Sequence, residues 1–254
     1  MVDQSERAVR VTIVVPAYNE AGRLDPAAFL RFATERDWLR FLFVDDGSRD
    51  GSRDVFAKME RESPAQVQTL SLAENQGKAE AVRRGLLLAL EAKPDLVGFW
   101  DADLATPLGE IDGFVARFDS DPDLEMVLGS RVRLLGMEIE RDPMRHYLGR
   151  VAATLASAIL GLAVYDTQCG AKLFRGSETL RSILAEPFLT RWMFDIEILA
   201  RWLQLRAADR GRAARFIREA PVASWCDVSG SRLKLWDFGQ VPLDLWKIHR
   251  RYRS

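Results

Sequence analysis

The sequence predicts an α/β fold, a mostly parallel sheet flanked by helices, and two observations lead there. Short apolar runs alternate with segments whose apolar residues recur at helical spacing. Polar turns of unusual composition follow four successive runs, which places them together at one edge of such a sheet.

In chain order, the expected strands are Val9 to Val15 (VRVTIVV), Phe41 to Val44, Val67 to Leu72, Leu96 to Trp100 and Glu125 to Gly129. Gly77 to Ala92 and Gly109 to Phe118 are the expected helices between them. Strand, helix, strand repetition buries both faces of the sheet, so the strands read as near-continuous apolar runs. The turns at the carboxyl ends are Pro-Ala-Tyr-Asn-Glu, Asp45-Asp46-Gly47-Ser48, Asn75-Gln76-Gly77-Lys78 and Asp101-Ala102-Asp103. The doubled GSRD after Asp46 reads as a loop running into a helix cap. After Ser130 the pattern changes: Arg131 to Arg150 holds five arginines with little strand character, and an Ala/Leu-rich run follows.

Composition narrows the function classes. A chain of 254 residues that is 48% hydrophobic can bury a large core. Lys plus Arg (36) against Asp plus Glu (37) gives a net charge of -1, which offers no electrostatic case for a nucleic-acid partner. Two cysteines make neither a disulfide framework nor a metal cluster, and the first ten residues lack the apolar run of a signal peptide. The longest apolar stretch, Val151 to Val164, falls short of the roughly 20 residues that span a bilayer. A cytoplasmic protein is expected.

Chemistry concentrates in the turns. Asp101 and Asp103 stand two apart at a strand end, where alternation would turn both carboxylates to one side, toward a Mg²⁺ or Mn²⁺ that prefers oxygen ligands. Glu20 and Asp46, on neighbouring strand ends, can accept hydrogen bonds from a nucleobase or ribose, while Asp45 reads as structural. Gly47 supplies a turn conformation, and Ser48 or Asp50 can cap the next helix. Two readings of Lys78 stand: a phosphate contact beside a helix N-terminus, or a solvated surface lysine.

In this order and spacing VVPAYNE, VDDGSRD, NQGKAEAV, DADLATP and GSR resemble glycosyltransferase family 2. The nearer likeness is to its dolichyl-phosphate and polyprenyl-phosphate sugar synthases, the dolichyl-phosphate glucosyltransferase-like group. YDTQCGAKLF, RWMFDIEIL and WCDVSGSR carry it on, so that it covers about Val11 to Leu235. The resemblance implies a GT-A type fold, a nucleotide-diphosphate sugar donor with UDP-glucose favoured, metal dependence and inversion at the anomeric carbon. By matching positions, Pro16, Tyr18, Glu20, Val44 and Asp46 would contact the nucleotide. Asp101, Ala102 and Asp103 would line the donor phosphates and metal, Arg131 would bridge donor and acceptor phosphates, and Arg232 would take the place of a phosphate-binding lysine. One GT-A type domain over 1–235 is expected, with a donor-binding half at 9–130 and an acceptor-binding half at 131–235, then an amphipathic, basic segment at 236–254.

An acceptor that is a polyprenyl phosphate is already anionic near pH 7 and can attack without a general base, so arginines should outnumber histidines around it. Arg131, Arg141, Arg145 and Arg150 crowd one segment, whose alternative is a charged loop countered by Glu138, Glu140 and Asp142. Asp195 and Glu197 can orient the acceptor, touch the metal or, for a hydroxyl acceptor, act as base; a capping or salt-bridge role for one is equally open. The run Val151 to Val164 reads as a surface for the polyprenyl chain at the membrane or as a core helix. The C-terminal stretch, with Trp236, Trp246, Lys247, Arg250, Arg251 and Arg253, reads as a lipid contact or as a packed helix with a basic end. A peripheral protein on the cytoplasmic face of the membrane fits this reading. Rival readings are a family 2 transferase acting on a saccharide or small-molecule hydroxyl, a sugar nucleotidyltransferase, and a non-catalytic nucleotide-binding module.

Overall fold

A computed structural model describes residues 9–140, 143–226 and 239–252, with backbone alone at 143–146 and 148. The first half runs β1 (Val11–Ala17), α1 (Pro26–Thr34), β2 (Leu39–Asp45), α2 (Ser52–Glu62), β3 (Val67–Ser71), α3 (Lys78–Glu91), β4 (Leu96–Trp100), α4 (Glu110–Ser120) and β5 (Met126–Ser130). All five strands overlap the expected runs. The second half adds β6 (Glu138–Glu140), α5 (Pro143–Leu160), β7 (Ala171–Arg175), α6 (Glu178–Leu184), α7 (Phe194–Leu205), β8 (Ile217–Pro221), β9 (Ser224–Cys226) and α8 (Val241–Tyr252).

Seven strands form the main sheet in the order β3-β2-β1-β4-β7-β5-β8, and β6 pairs with β9 in a small second sheet. Strands β1, β2, β3 and β4 run parallel, as do β5 and β8; only β7 opposes its neighbours β4 and β5. β7 was not anticipated because its AKLFR interrupts the apolar pattern with Lys172, yet Lys172 is 1% exposed.

Alternation along the strands feeds two cores. Val14, Val44, Val97 and Phe99 face α3, α7 and α8, whereas Ile13, Val15, Phe43 and Trp100 face α1, α2 and α4. On the second face Phe29 meets the rings of Phe41 and Phe43 edge-on at 5.2 Å, and Phe56 stacks on Phe43 at 5.2 Å. Such pairs each add about 0.5–1.5 kcal/mol beyond their burial.

The run Val151 to Val164 supplies the later turns of α5, which buries Ala152, Ala153, Ala156 and Leu160 in the first core. Tyr147, Val151 and Leu155, spaced four apart, remain exposed along its length. α8 buries Val241, Leu245 and Ile248 in the same core and leaves Leu243 and Trp246 outside, so it is a packed helix with a partly apolar outer face. Trp236 and Arg253 lie outside the described residues. Among the described residues, no helix is long and apolar enough to cross a membrane.

Candidate active site

Three turns at the carboxyl edge are stitched into one platform. Ser48 Oγ accepts from the Asn19 N–H at 2.8 Å, Ser52 Oγ accepts from the Glu20 N–H at 2.7 Å, and Asp50 accepts from the Ala21 N–H at 3.1 Å. Asp45 accepts from the Ser48 N–H and pairs with Arg53, which bears out its structural reading. Gly47 has φ +71, and a Cβ there would lie 2.6 Å from the Glu74 carbonyl carbon, so the turn requires glycine. The N-cap of α2 is Gly51, so neither Ser48 nor Asp50 caps the helix; Asp50 instead accepts from the Ser52 N–H in the turn before it, at 2.9 Å.

Asp46 is 3% exposed, and its carboxylate accepts from Asn75 Nδ2, the Gln76 N–H and the Gly77 N–H at 2.8 to 2.9 Å. It fastens the loop before α3, and burial pushes its pKa up against the pull of those N–H groups. Val44 is a correction: it has no exposed surface and packs in the first core, so its side chain supports the site from beneath instead of meeting a nucleotide. Pro16 and Tyr18 are partly exposed at the end of β1, and Glu20 lies beside Arg23, with Oε2 3.5 Å from the guanidinium.

Asp101 and Asp103 do come together, but in a turn and not by strand alternation, since β4 ends at Trp100. Asp103 accepts from the Ala105 N–H at 3.1 Å, and the Asp101 N–H donates to the Gly170 carbonyl at 2.9 Å. A Cβ on Gly170 would overlap the Asp101 carboxylate, so the start of β7 forms a close cradle for it. Ala102 is buried between the two acids.

Every carboxylate here faces a cation. Lys78 Nζ stands 2.5 Å from Asp101 Oδ1, Arg23 stands 3.7 Å from Asp103, and Lys172 Nζ stands 2.6 Å from Asp195 Oδ1. Lys78 is thus neither a solvated lysine nor remote from the acids: burial pulls its pKa down, but Asp101, Asp195 and Asp103 together hold it above the ordinary value. Burial, then the charge of Asp101, raises the pKa of Asp103. Asp195 is also raised by burial, against the pull of Lys172 and Lys78. Lys172 in turn donates to the Thr167 and Cys169 carbonyls at 3.0 and 2.7 Å.

Asp195 and Glu197 point apart because residues two apart on a helix lie on different faces. Asp195 joins the site. Glu197, wholly buried, binds Arg201, the Tyr252 hydroxyl and the Leu189 N–H away from the site, so both acids are ion-paired and only Asp195 is paired within the site.

Arg131 is bonded through Nε and one terminal nitrogen to both oxygens of Asp166, at 2.7 and 2.8 Å. Glu219 fixes that acid by accepting from the Tyr165 and Asp166 N–H groups. Asp166, with a contribution from Asp101, holds the Arg131 pKa above its ordinary value despite burial. Arg150 donates to the Tyr165 carbonyl at 2.8 Å and stacks on the Tyr165 ring at 3.7 Å, tying α5 to that turn. Arg141, Arg232 and the side chain of Arg145 lie outside the described residues.

Sequence reasoning missed Arg23, Lys172 and Asp166 as individual participants, and also Arg191, which donates to Asn75 Oδ1 at 2.9 Å. The signal for Lys172 was a charge inside an otherwise apolar run.

The donor set suits a hard divalent ion. Asp101 and Asp103 offer oxygens only, and the Lys78 ammonium already stands where a cation binds. Among the described residues no group of three or more His, Cys, Asp or Glu could hold a metal, so the remaining ligands would come from phosphate oxygens and water.

The profile of Glycosyl transferase family 2 matches residues 12–181. This chain belongs to that family. It is a glycosyltransferase with a GT-A type fold. It is 32% identical to a dolichyl-phosphate beta-glucosyltransferase of Trichomonas vaginalis, over 98% of this chain and 74% of the relative. Enzymes of the same name from Dictyostelium discoideum and Saccharomyces cerevisiae are each 30% identical, over 96% and 91% of this chain and 75% and 71% of theirs. Glucosyl-3-phosphoglycerate synthase of Mycobacterium tuberculosis, solved with Mn²⁺, UDP-glucose and phosphoglyceric acid, superposes with TM-score 0.68 at 18% identity, covering 95% of this chain and 80% of that one. At that identity the likeness concerns the fold.

Proposed function

We propose that this glycosyltransferase moves glucose from UDP-glucose to a polyprenyl or dolichyl phosphate, with a divalent ion and with inversion. The observation that carries the reading is the pairing of Asp101 and Asp103 at the carboxyl edge, with Lys78 on one acid and Arg131 within electrostatic reach of it. The relatives named dolichyl-phosphate beta-glucosyltransferase, similar over nearly the whole chain, support the choice of donor and acceptor.

Asp101 and Asp103 would hold the Mg²⁺ or Mn²⁺, which when bound neutralises the charge that grows on the departing diphosphate. Pro16, Tyr18, Glu20 and the platform fastened by Asp46 border the nucleotide. Arg131, oriented by Asp166, presents positive charge to the phosphates on the acceptor side, joined in this reading by Arg141, Arg145 and Arg232. A phosphate monoester needs no proton removed before it attacks, so positioning and neutralisation are the protein's work. The exposed stripe Tyr147, Val151 and Leu155 of α5, with Trp246 of α8, gives an apolar face for peripheral attachment to the membrane where the acceptor resides.

A hydroxyl acceptor is the second reading, favoured by one observation: Asp195 sits in the site with its pKa raised, as suits a base. The deciding assay offers UDP-glucose and GDP-mannose to a short polyprenyl phosphate, with and without Mn²⁺ or Mg²⁺, beside Asp103→Ala. Metal-dependent glucosyl lipid that the variant cannot make is the expected product. Donor binding without lipid product would overturn the acceptor assignment.

A further inference from the structure

Three ion pairs around the crevice, those of Lys172, Arg131 and Lys78, differ in how far they can open. Lys172 with Asp195 is buried and Arg131 with Asp166 keeps only 13% and 8% exposed, and Lys172 and Arg131 make additional hydrogen bonds to backbone carbonyls or a second carboxylate oxygen. Lys78 and Asp101 keep 25% and 34% of their side chains exposed. Lys78 is the first residue of α3, whose N-cap Gly77 makes no side-chain capping bond. The N–H of that N-cap donates to the Asp46 carboxylate at 2.8 Å, so an acid already closes the entry to α3 while the Lys78 side chain reaches Asp101.

On the reading of Asp101 as a metal ligand, we infer that Lys78 is a built-in counter-ion which makes metal binding depend on the diphosphate. A divalent ion arriving alone must displace the ammonium from Asp101 and then remain beside an unpaired like charge. An ion arriving with a nucleoside diphosphate brings the anion on which the released ammonium can settle. One lysine thus serves the carboxylate in the resting site and the phosphates in the loaded one. Because coupling between two ligands is reciprocal, the diphosphate must raise the affinity for metal by the same factor that metal raises the affinity for diphosphate.

The test measures free Mn²⁺ by electron paramagnetic resonance in titrations of wild type, Lys78→Met and Lys78→Gln, each alone and with UDP, and Lys78→Arg as the charge-retaining control. In wild type, UDP should raise Mn²⁺ affinity strongly. Both neutral variants should bind Mn²⁺ without nucleotide at least about tenfold more tightly than wild type, with a smaller effect of UDP. Lys78→Arg should keep the wild-type coupling. Unchanged or weaker nucleotide-free Mn²⁺ binding in both neutral variants, while wild type with UDP binds the ion, overturns the counter-ion role alone. Failure of wild type to take up Mn²⁺ even with UDP overturns the metal reading and this role with it.

Discussion

Lys78 and Asp101 keep 25% and 34% of their side chains exposed on the donor edge, whereas Lys172 and Asp195 keep 1% and 7%. The same contrast divides the wider molecule. Arg23 stands off Asp103 at 3.7 Å beside solvent, while Arg201 spends its guanidinium on Glu197, the Tyr252 hydroxyl and three backbone carbonyls in the interior. An exposed pair costs little to separate, and a buried pair that loses one member leaves an uncompensated charge. The donor edge is built to exchange partners, and the region after Ser130 is built to hold them.

Arg201→Met tests the holding side most severely. It should lose ~3–5 kcal/mol in urea unfolding, because Glu197 stays buried without its partner. The folded fraction should keep its specific activity; a stability within 1 kcal/mol of wild type would put the network on the exchanging side after all. Asp103→Asn tests the donor edge. Its kcat/KM in the glucosyl transfer assay should fall about 10²- to 10³-fold with no loss in thermal unfolding midpoint, and loss of fold would erase the contrast.

Asp195 lies where the two regions meet, and its pH behaviour sharpens the boundary. Its raised pKa means that on acidification it protonates before an ordinary carboxylate. With a hydroxyl acceptor, kcat should therefore fall as pH drops through that pKa, and Asp195→Asn should cost about 10²- to 10⁴-fold. With a phosphate acceptor the same variant should cost about tenfold or less and leave the acid limb of the pH profile in place. Smallest of all, Val151→Asp should weaken sedimentation with anionic phospholipid vesicles by about threefold while leaving UDP binding unchanged. Unaltered vesicle binding would remove α5 from the membrane face.

The two regions were also unequally legible in the sequence. Strands β1, β2, β4 and β5 have both faces largely covered, so their apolar runs stand out, and the turns that follow β1, β2 and β4 carry the acids that reach the site. β7 was hidden because a strand containing Lys172 does not look buried until Asp195 and two carbonyls, distant in sequence or off the side-chain pattern, are seen to satisfy it. The contact of the Arg150 guanidinium with the Tyr165 ring was equally hidden, since nothing in the sequence pairs residues fifteen apart across a turn. Glu197 and Asp195 were separable only once the helix placed them on different faces. Pairings between side chains far apart in the chain leave no periodic trace, which is why the partners of Arg131 and Lys172 came from the fold alone.

The antiparallel strand β7 has a consequence for the order in which the protein can be made. It lies between β4 and β5, and the residue just before it, Gly170, receives the N–H of Asp101. A nascent chain that has emerged as far as Ser130 holds every acid of the donor edge, yet β4 and β5 have no common neighbour to hold them in one sheet. The cradle that Gly170 makes for the Asp101 carboxylate then waits for some forty further residues at a ribosome's pace of about 5–20 residues per second. Catalytic competence is therefore a late event in synthesis.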